Sequence, residues 1–228
     1  MSTVKAIVWK EYAILCTNKK GLFLMMLGYI AFIGIFIWAK ISTKGFQIEE
    51  FESNINYASL TVSYMIFISS LKFWQEKSMQ TLEVLFMLPT SIIGIIMAKT
   101  IVPICISQIS VVSFYLIANG VCMIFTGQTC GSIVMLLQIV LISLLFEIIY
   151  SIINCYAMWC ASLAYAKFIQ MVSVILYLGS VFSIMLTPVK LNLFNSPGVL
   201  GVIIIMSVYS LRCLKKITKE GAINTLQY

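Results

Sequence analysis

The sequence predicts an all-α, polytopic membrane protein with about six transmembrane helices, folded as one domain over residues 1–228. An interfacial amphipathic helix is expected over 1–20 and a cytoplasmic surface helix over 72–89, between the second and third spans. Three observations predict this. First, 61% of the residues are hydrophobic and 10% are charged, with a mean hydropathy of +1.02, which leaves too little charge to cover a soluble domain. Second, the apolar residues gather in runs near the ~20 residues that cross a bilayer. Third, an alternating topology puts every basic residue except Lys40, Lys44 and Lys190 on one side, the bias expected of cytoplasmic loops, so both termini are expected in the cytoplasm.

Composition also excludes function classes. The chain has no histidine and no aspartate, which removes HExxH zinc sites, His-dependent nucleophilic catalysis and paired-aspartate membrane enzymes. It has no GxxxxGK[ST] loop and no GxGxxG turn. No catalytic residue and no metal site is expected, and any ATP would be hydrolysed on another chain. The net charge of +7 sits at the ends of apolar runs and not on a basic helix, so nucleic acid is not an expected partner. The seven cysteines show no CxxC spacing and read as small core residues. Only Cys122 and Cys130 lie near one loop, where a disulfide is open if geometry allows.

In chain order, Val4, Val8 and Leu15, with Ile7 and Ile14 beside them, share one helical face within 1–20, and the flanking lysines suit a membrane surface. Glu11 falls on that apolar side and is expected to be paired. The first span covers about 21–39 and the second about 55–71, with a glutamate-rich outer loop between them. In the second span Ser59, Ser63 and Ser70 share a side, and small hydroxyl residues let helices approach closely.

The segment 72–89 read as one helix puts Glu76, Gln80 and Glu83 on one stripe and Met79, Leu82 and Phe86 on the next. Its apolar part is too short to cross a bilayer and Pro89 ends it, so it is expected to lie flat with its carboxylates offered to water or a partner. Lys77 and Thr81 belong to the same candidate docking surface.

A third span runs to about residue 125, with Pro103 expected to kink it and Gln108, Tyr115 and Asn119 on one face. The fourth, about 132–162, holds Glu147, the one carboxylate deep in an apolar run. Ser143, Glu147, Ser151 and Asn154 form a polar stripe that is costly to turn to hydrocarbon, because a charge at mid-bilayer costs several kcal/mol. Ala157 and Ala161 follow as a small-xxx-small pair. The fifth and sixth spans cover about 168–186 and 199–211, joined by an outer loop over 187–198. Trp9, Trp38, Trp74 and Trp159 are expected to act as interface anchors.

This order of parts resembles the ABC-type-2 transporter permease family over nearly the whole chain. The residues that bear the likeness are Lys10 and Glu11 before the first span; Glu76, Thr81, Leu82, Glu83 and Pro89 after the second, followed by Lys99; and Ala161, Ser162, Leu163 and Lys167 after the fourth. Two features depart from the pattern: Gln80 stands where the family commonly has Gly, and the loop over 187–198 is short. The resemblance implies an exporter subunit in a prokaryotic plasma membrane, working with a separate ATP-binding-cassette ATPase that holds ATP and Mg, and with a second permease chain. It makes 72–89 the coupling helix, with Glu76, Lys77, Gln80, Thr81 and Glu83 facing the ATPase. Glu147, Ser143, Ser151, Asn154, Gln108 and Asn119 are the candidate translocation-path residues. Two other readings stay open: a gradient-driven transporter or channel coupled through Glu147, and a membrane immunity or scaffold subunit that transports nothing.

Overall fold

A computed structural model describes residues 3–17, 23, 27, 28, 31, 34, 38, 48–79, 81–129, 131–186, 197–218 and 222. Every regular element among them is helical. In order these are α1 (Thr3–Thr17), α2 (Ile48–Ser70), α3 (Phe73–Ser78), α4 (Leu82–Phe86), α5 (Ile92–Thr126), α6 (Ile133–Cys160), α7 (Leu163–Leu186) and α8 (Pro197–Lys216). Of the expected first span only Phe23, Leu27, Gly28, Ala31, Gly34 and Trp38 are described, and all six are helical. Lys19, Lys20, Lys40, Lys44, Gln80, Cys130, Lys190 and Lys219, with most of the 187–198 loop, lie outside the described residues. Cys122 is disulfide-bonded, and its partner is likewise outside them.

Among the described residues three helices are long and apolar enough to cross a membrane: Ile92–Ile124, Ile133–Cys160 and Gly198–Lys216. Ala164–Gly179 is apolar but shorter. The protein is therefore all-helical over its described residues and compatible with a multi-pass membrane protein. α2 as described begins at Ile48, so residues 48–54, expected in the loop, are helical, in keeping with the helix propensity of Glu49, Glu50 and Glu52.

Local chemistry sets the ends of the long helices. Ser91 and Ser132 cap α5 and α6, their hydroxyls accepting from the Gly94 and Met135 amides at 3.1 and 3.2 Å. α5 ends at Gly127, whose φ of 71° is the left-handed conformation glycine adopts without cost, and its amide donates to the Met123 carbonyl at 2.9 Å. α5 runs on through Pro103.

α2 packs chiefly on α5, α6 packs on α5, α7 and α8, α1 lies on α5, and α3 lies on α6. One end of this assembly is basic. Lys77 donates to the Ala161 carbonyl just past the end of α6, Lys99 meets Glu11 of α1, Lys167 follows in the first turns of α7, and α8 finishes on Lys215 and Lys216.

Two sequence expectations are corrected. The segment 72–89 is not one helix: it breaks between Ser78 and Leu82, and the Thr81 amide folds back to the Glu76 carbonyl at 3.1 Å. The cause is Trp159. Its ring takes Phe73 and Phe86 edge-on at 5.4 and 5.5 Å, and its indole N–H donates to the Phe73 carbonyl at 3.2 Å. In one straight helix those two phenylalanines would stand roughly 20 Å apart, too far to share one indole. Trp159 is thus no interface anchor but fully buried, whereas Trp9 is 63% and Trp38 68% exposed.

Trp159→Ala is expected to cost about 3–5 kcal/mol and to lower the thermal unfolding midpoint in detergent, while Trp9→Ala leaves it nearly unchanged. Equal midpoints for the two variants would contradict the placement of Trp159 as the keystone of the α3–α4 segment.

Candidate functional site

Two polar constellations form inside this largely apolar protein. The first clamps the α3–α4 segment to the bundle. Ile7, Glu11 and Leu15 recur every four residues on the buried face of α1, so Glu11 is carried inward with its apolar neighbours. There its Oε1 meets the Lys99 ammonium at 2.5 Å. The same ammonium lies 2.9 Å from Glu76 Oε1, and Lys10 reaches that oxygen at 3.1 Å. The side chains of Lys99, Glu11 and Glu76 are 3%, 6% and 5% exposed, and that of Lys10 is half-exposed. Phe73 places its ring 5.9 Å below the Lys99 ammonium. One cation therefore holds carboxylates from two distant segments, and little water screens it.

The second constellation surrounds Glu147. Its Oε1 accepts from Ser63 at 2.8 Å and Ser107 at 2.5 Å, and its Oε2 accepts from the Gln108 amide at 2.8 Å. Gln108 also donates to Ser143 at 3.0 Å, and Ser63 and Ser107 lie 3.0 Å apart. These side chains come from α2, α5 and α6, so a single carboxyl joins three helices. Among the described residues its partners are two hydroxyls and an amide, with no cation. The three donors suit an ionised carboxyl, and the hydroxyls can turn to accept from a protonated one.

The expected site residues divide between these places. Of the candidate path residues, Gln108 joins Glu147 and Ser143, a meeting of two stripes the sequence had kept separate, and Ser151 donates to the Glu147 carbonyl at 2.6 Å. All four stripe positions on α6 are buried. Asn154 is held apart, accepting from Gln170 of α7 at 2.9 Å. Asn119 lies three turns along α5 from Gln108, about 16 Å away by helical rise, and its amide donates to the Tyr115 carbonyl at 3.1 Å.

On the docking segment the expectation of carboxylates offered to water is corrected for Glu76, which is buried and paired because α3 turns that side toward Lys99. Glu83 is exposed, together with Met79, Val84 and Met87. Thr81 is half-buried, its hydroxyl directed at the Glu76 carbonyl at 3.5 Å. Lys77 reaches the Ala161 carbonyl at 3.3 Å, and partial burial draws its ammonium below the ordinary lysine range. Sequence reasoning missed Ser63 and Ser107 as partners of Glu147 and Lys99 as partner of Glu11. The signals for Lys99 were its place in the family likeness and its position as a lysine two turns inside an apolar helix.

Compared with protein-family models, with curated proteins and with solved structures, the chain matches none.

Lys99→Met strands two buried carboxylates and is expected to destabilise the fold by about 3–5 kcal/mol, with part of the loss recovered when Glu11→Gln is added. Thermal unfolding in detergent reads this, and a wild-type midpoint for the single variant would refute the clamp. Glu147→Gln keeps an acceptor for Ser63 and Ser107, and a flip of the Gln108 amide lets its oxygen accept from the new NH2, so the variant is expected to stay within about 1 kcal/mol of wild type, whereas Glu147→Leu orphans the donors at roughly 1–3 kcal/mol for each group left unpaired. The same melts check it: indistinguishable Gln and Leu variants would show that the network contributes nothing to stability.

Proposed function

We propose that this chain is the membrane subunit of an ATP-driven exporter of the ABC-type-2 permease kind, with about six spans and both termini in the cytoplasm of a prokaryotic cell. A separate ATPase supplies ATP hydrolysis, and a second permease chain completes the path. The observation that supports this reading best is the two-sided build of the α3–α4 segment. Its inner side is fixed to α1, α5 and α6 through Glu76 and the Phe73, Phe86 and Trp159 cluster. Its outer side presents Glu83, Val84 and Met87 free of the bundle.

A push on that outer side is passed to three helices, because a packed core moves as discrete bodies and does not deform smoothly. This is the mechanical property a lever between a motor and a gate requires. The docking surface is narrower than the expected set: Glu83 faces outward, whereas Glu76 is committed to the lever's root. The Glu147 network gives the gradient-driven reading its own footing, since a buried carboxyl without a cation is the group through which a proton or cation would couple.

Glu83→Lys is expected to reduce recovery of the cognate ATPase in a mild-detergent pull-down by about tenfold, or about 1.4 kcal/mol, with the chain's own melting point unchanged. Wild-type recovery of the ATPase by this variant would remove α4 from the docking surface. Transport that persists in vanadate and stops in Glu147→Gln would favour the gradient-driven alternative.

A further inference from the structure

A cavity of about 170 Å³ opens beside the ionic clamp, between α1, the turn after α2, α3 and α5. It is lined by Ile14, Met79 and Thr81, by Lys10, Lys72 and Lys99, and by Glu11 and Glu76. The charges around it do not cancel. Glu11 and Glu76 are matched by Lys99 and Lys10 through the contacts described above. Lys72 is left over: it is partly exposed and, among the described residues, has no ion-pair or hydrogen-bond partner. Lys10 keeps half of its side chain in the open.

The cavity thus combines apolar walls with one uncompensated cation and a second within reach. A hydrated inorganic anion gains nothing from aliphatic walls, and an apolar molecule gains nothing from the cations. A molecule with a phosphate at one end and hydrocarbon at the other gains from both. The setting agrees. On the outer face of α1, Trp9 and Tyr12 are 63% and 51% exposed with ring centroids 5.9 Å apart, an aromatic pair of the kind that lies at headgroup depth. The long apolar helix α5 starts in the same place, and Lys99 lies two turns into it.

We propose that this cavity seats the headgroup of an anionic membrane phospholipid, with Lys72 and Lys10 on the phosphate and the glycerol region against Ile14, Met79 and the lysine stems. The bound lipid would sit against Glu76 and Lys99, and so against the root of the α3–α4 segment. The site depends on the membrane reading alone and stands whether or not an ATPase docks on α4.

The test is native mass spectrometry of the full chain in mild detergent, offered phosphatidylglycerol or phosphatidylcholine with identical acyl chains. A lysine close to an anionic headgroup contributes about fivefold in affinity. Phosphatidylglycerol is therefore expected to be retained at least that much better than phosphatidylcholine, and Lys72→Gln, which breaks no ion pair, is expected to abolish most of the difference. Lys215→Gln, at the same basic end but away from the cavity, is expected to leave it intact. Ile14→Trp, which fills the space without changing a charge, is expected to reduce retention as Lys72→Gln does. Equal retention of the two lipids, or equal losses from Lys72→Gln and Lys215→Gln, would overturn the proposal. Displacement of phosphatidylglycerol by excess inorganic phosphate would overturn it too, because the site would then take a soluble anion and not a lipid.

Discussion

The arrangement around Lys99 is the constraint on which the rest depends. One ammonium is shared by Glu11 and Glu76, carboxylates that are 65 residues apart in sequence, and Lys10 of α1 adds a second ionic contact to Glu76. Removing Lys99 leaves two carboxylates in a place where water cannot compensate them, with Lys10 reaching only one, so the ammonium is the member the cluster cannot lose. Through it, α1 and the α3–α4 segment are held to the same stretch of α5. The aromatic packing on Trp159 then sets the angle at which the segment leaves the bundle.

Fastening by charge in an apolar protein explains the economy of its polar residues. Only eight acidic residues occur in the chain, and three of them, Glu11, Glu76 and Glu147, are buried in the two networks. Each buried carboxylate joins elements distant in sequence. In lipid, where helices gain little from hiding apolar surface against one another, such contacts choose one packing among many of similar energy. The Glu147 network does this for α2, α5 and α6 with neutral donors, and the Lys99 cluster does it for the surface elements with a cation.

Much of this was legible in the sequence because it follows from periodicity. The helical class, the inward stripe on α6 and the pairing of Glu11 come from which residues share a helical face, and the end of α5 near 125 and the start of α6 near Ser132 from where the apolar runs stop. What was not legible depends on contacts between faces. Serines are common in apolar helices, so nothing marked Ser63 and Ser107 as the two that meet Glu147. The break between Ser78 and Leu82 has no glycine or proline to announce it, and it exists because Phe73 and Phe86 converge on one indole supplied from 73 residues further along the chain than Phe86. Once the break is made, Glu76 and Glu83 part company, which no single-helix reading of the segment could have separated.

α5 bears both networks: Lys99 belongs to one, Ser107 and Gln108 to the other, and Pro103 stands midway between them. Proline has no amide hydrogen, so the Lys99 carbonyl loses the backbone rung it would otherwise receive from that position. Bending stiffness in a helix comes from those rungs, and a weak point of α5, the longest of the described helices, therefore falls between its two anchorages. Tension arriving at one anchorage finds a compliant joint before it reaches the other, so a tilt of the Lys99 half of α5 need not tear the three-helix junction apart.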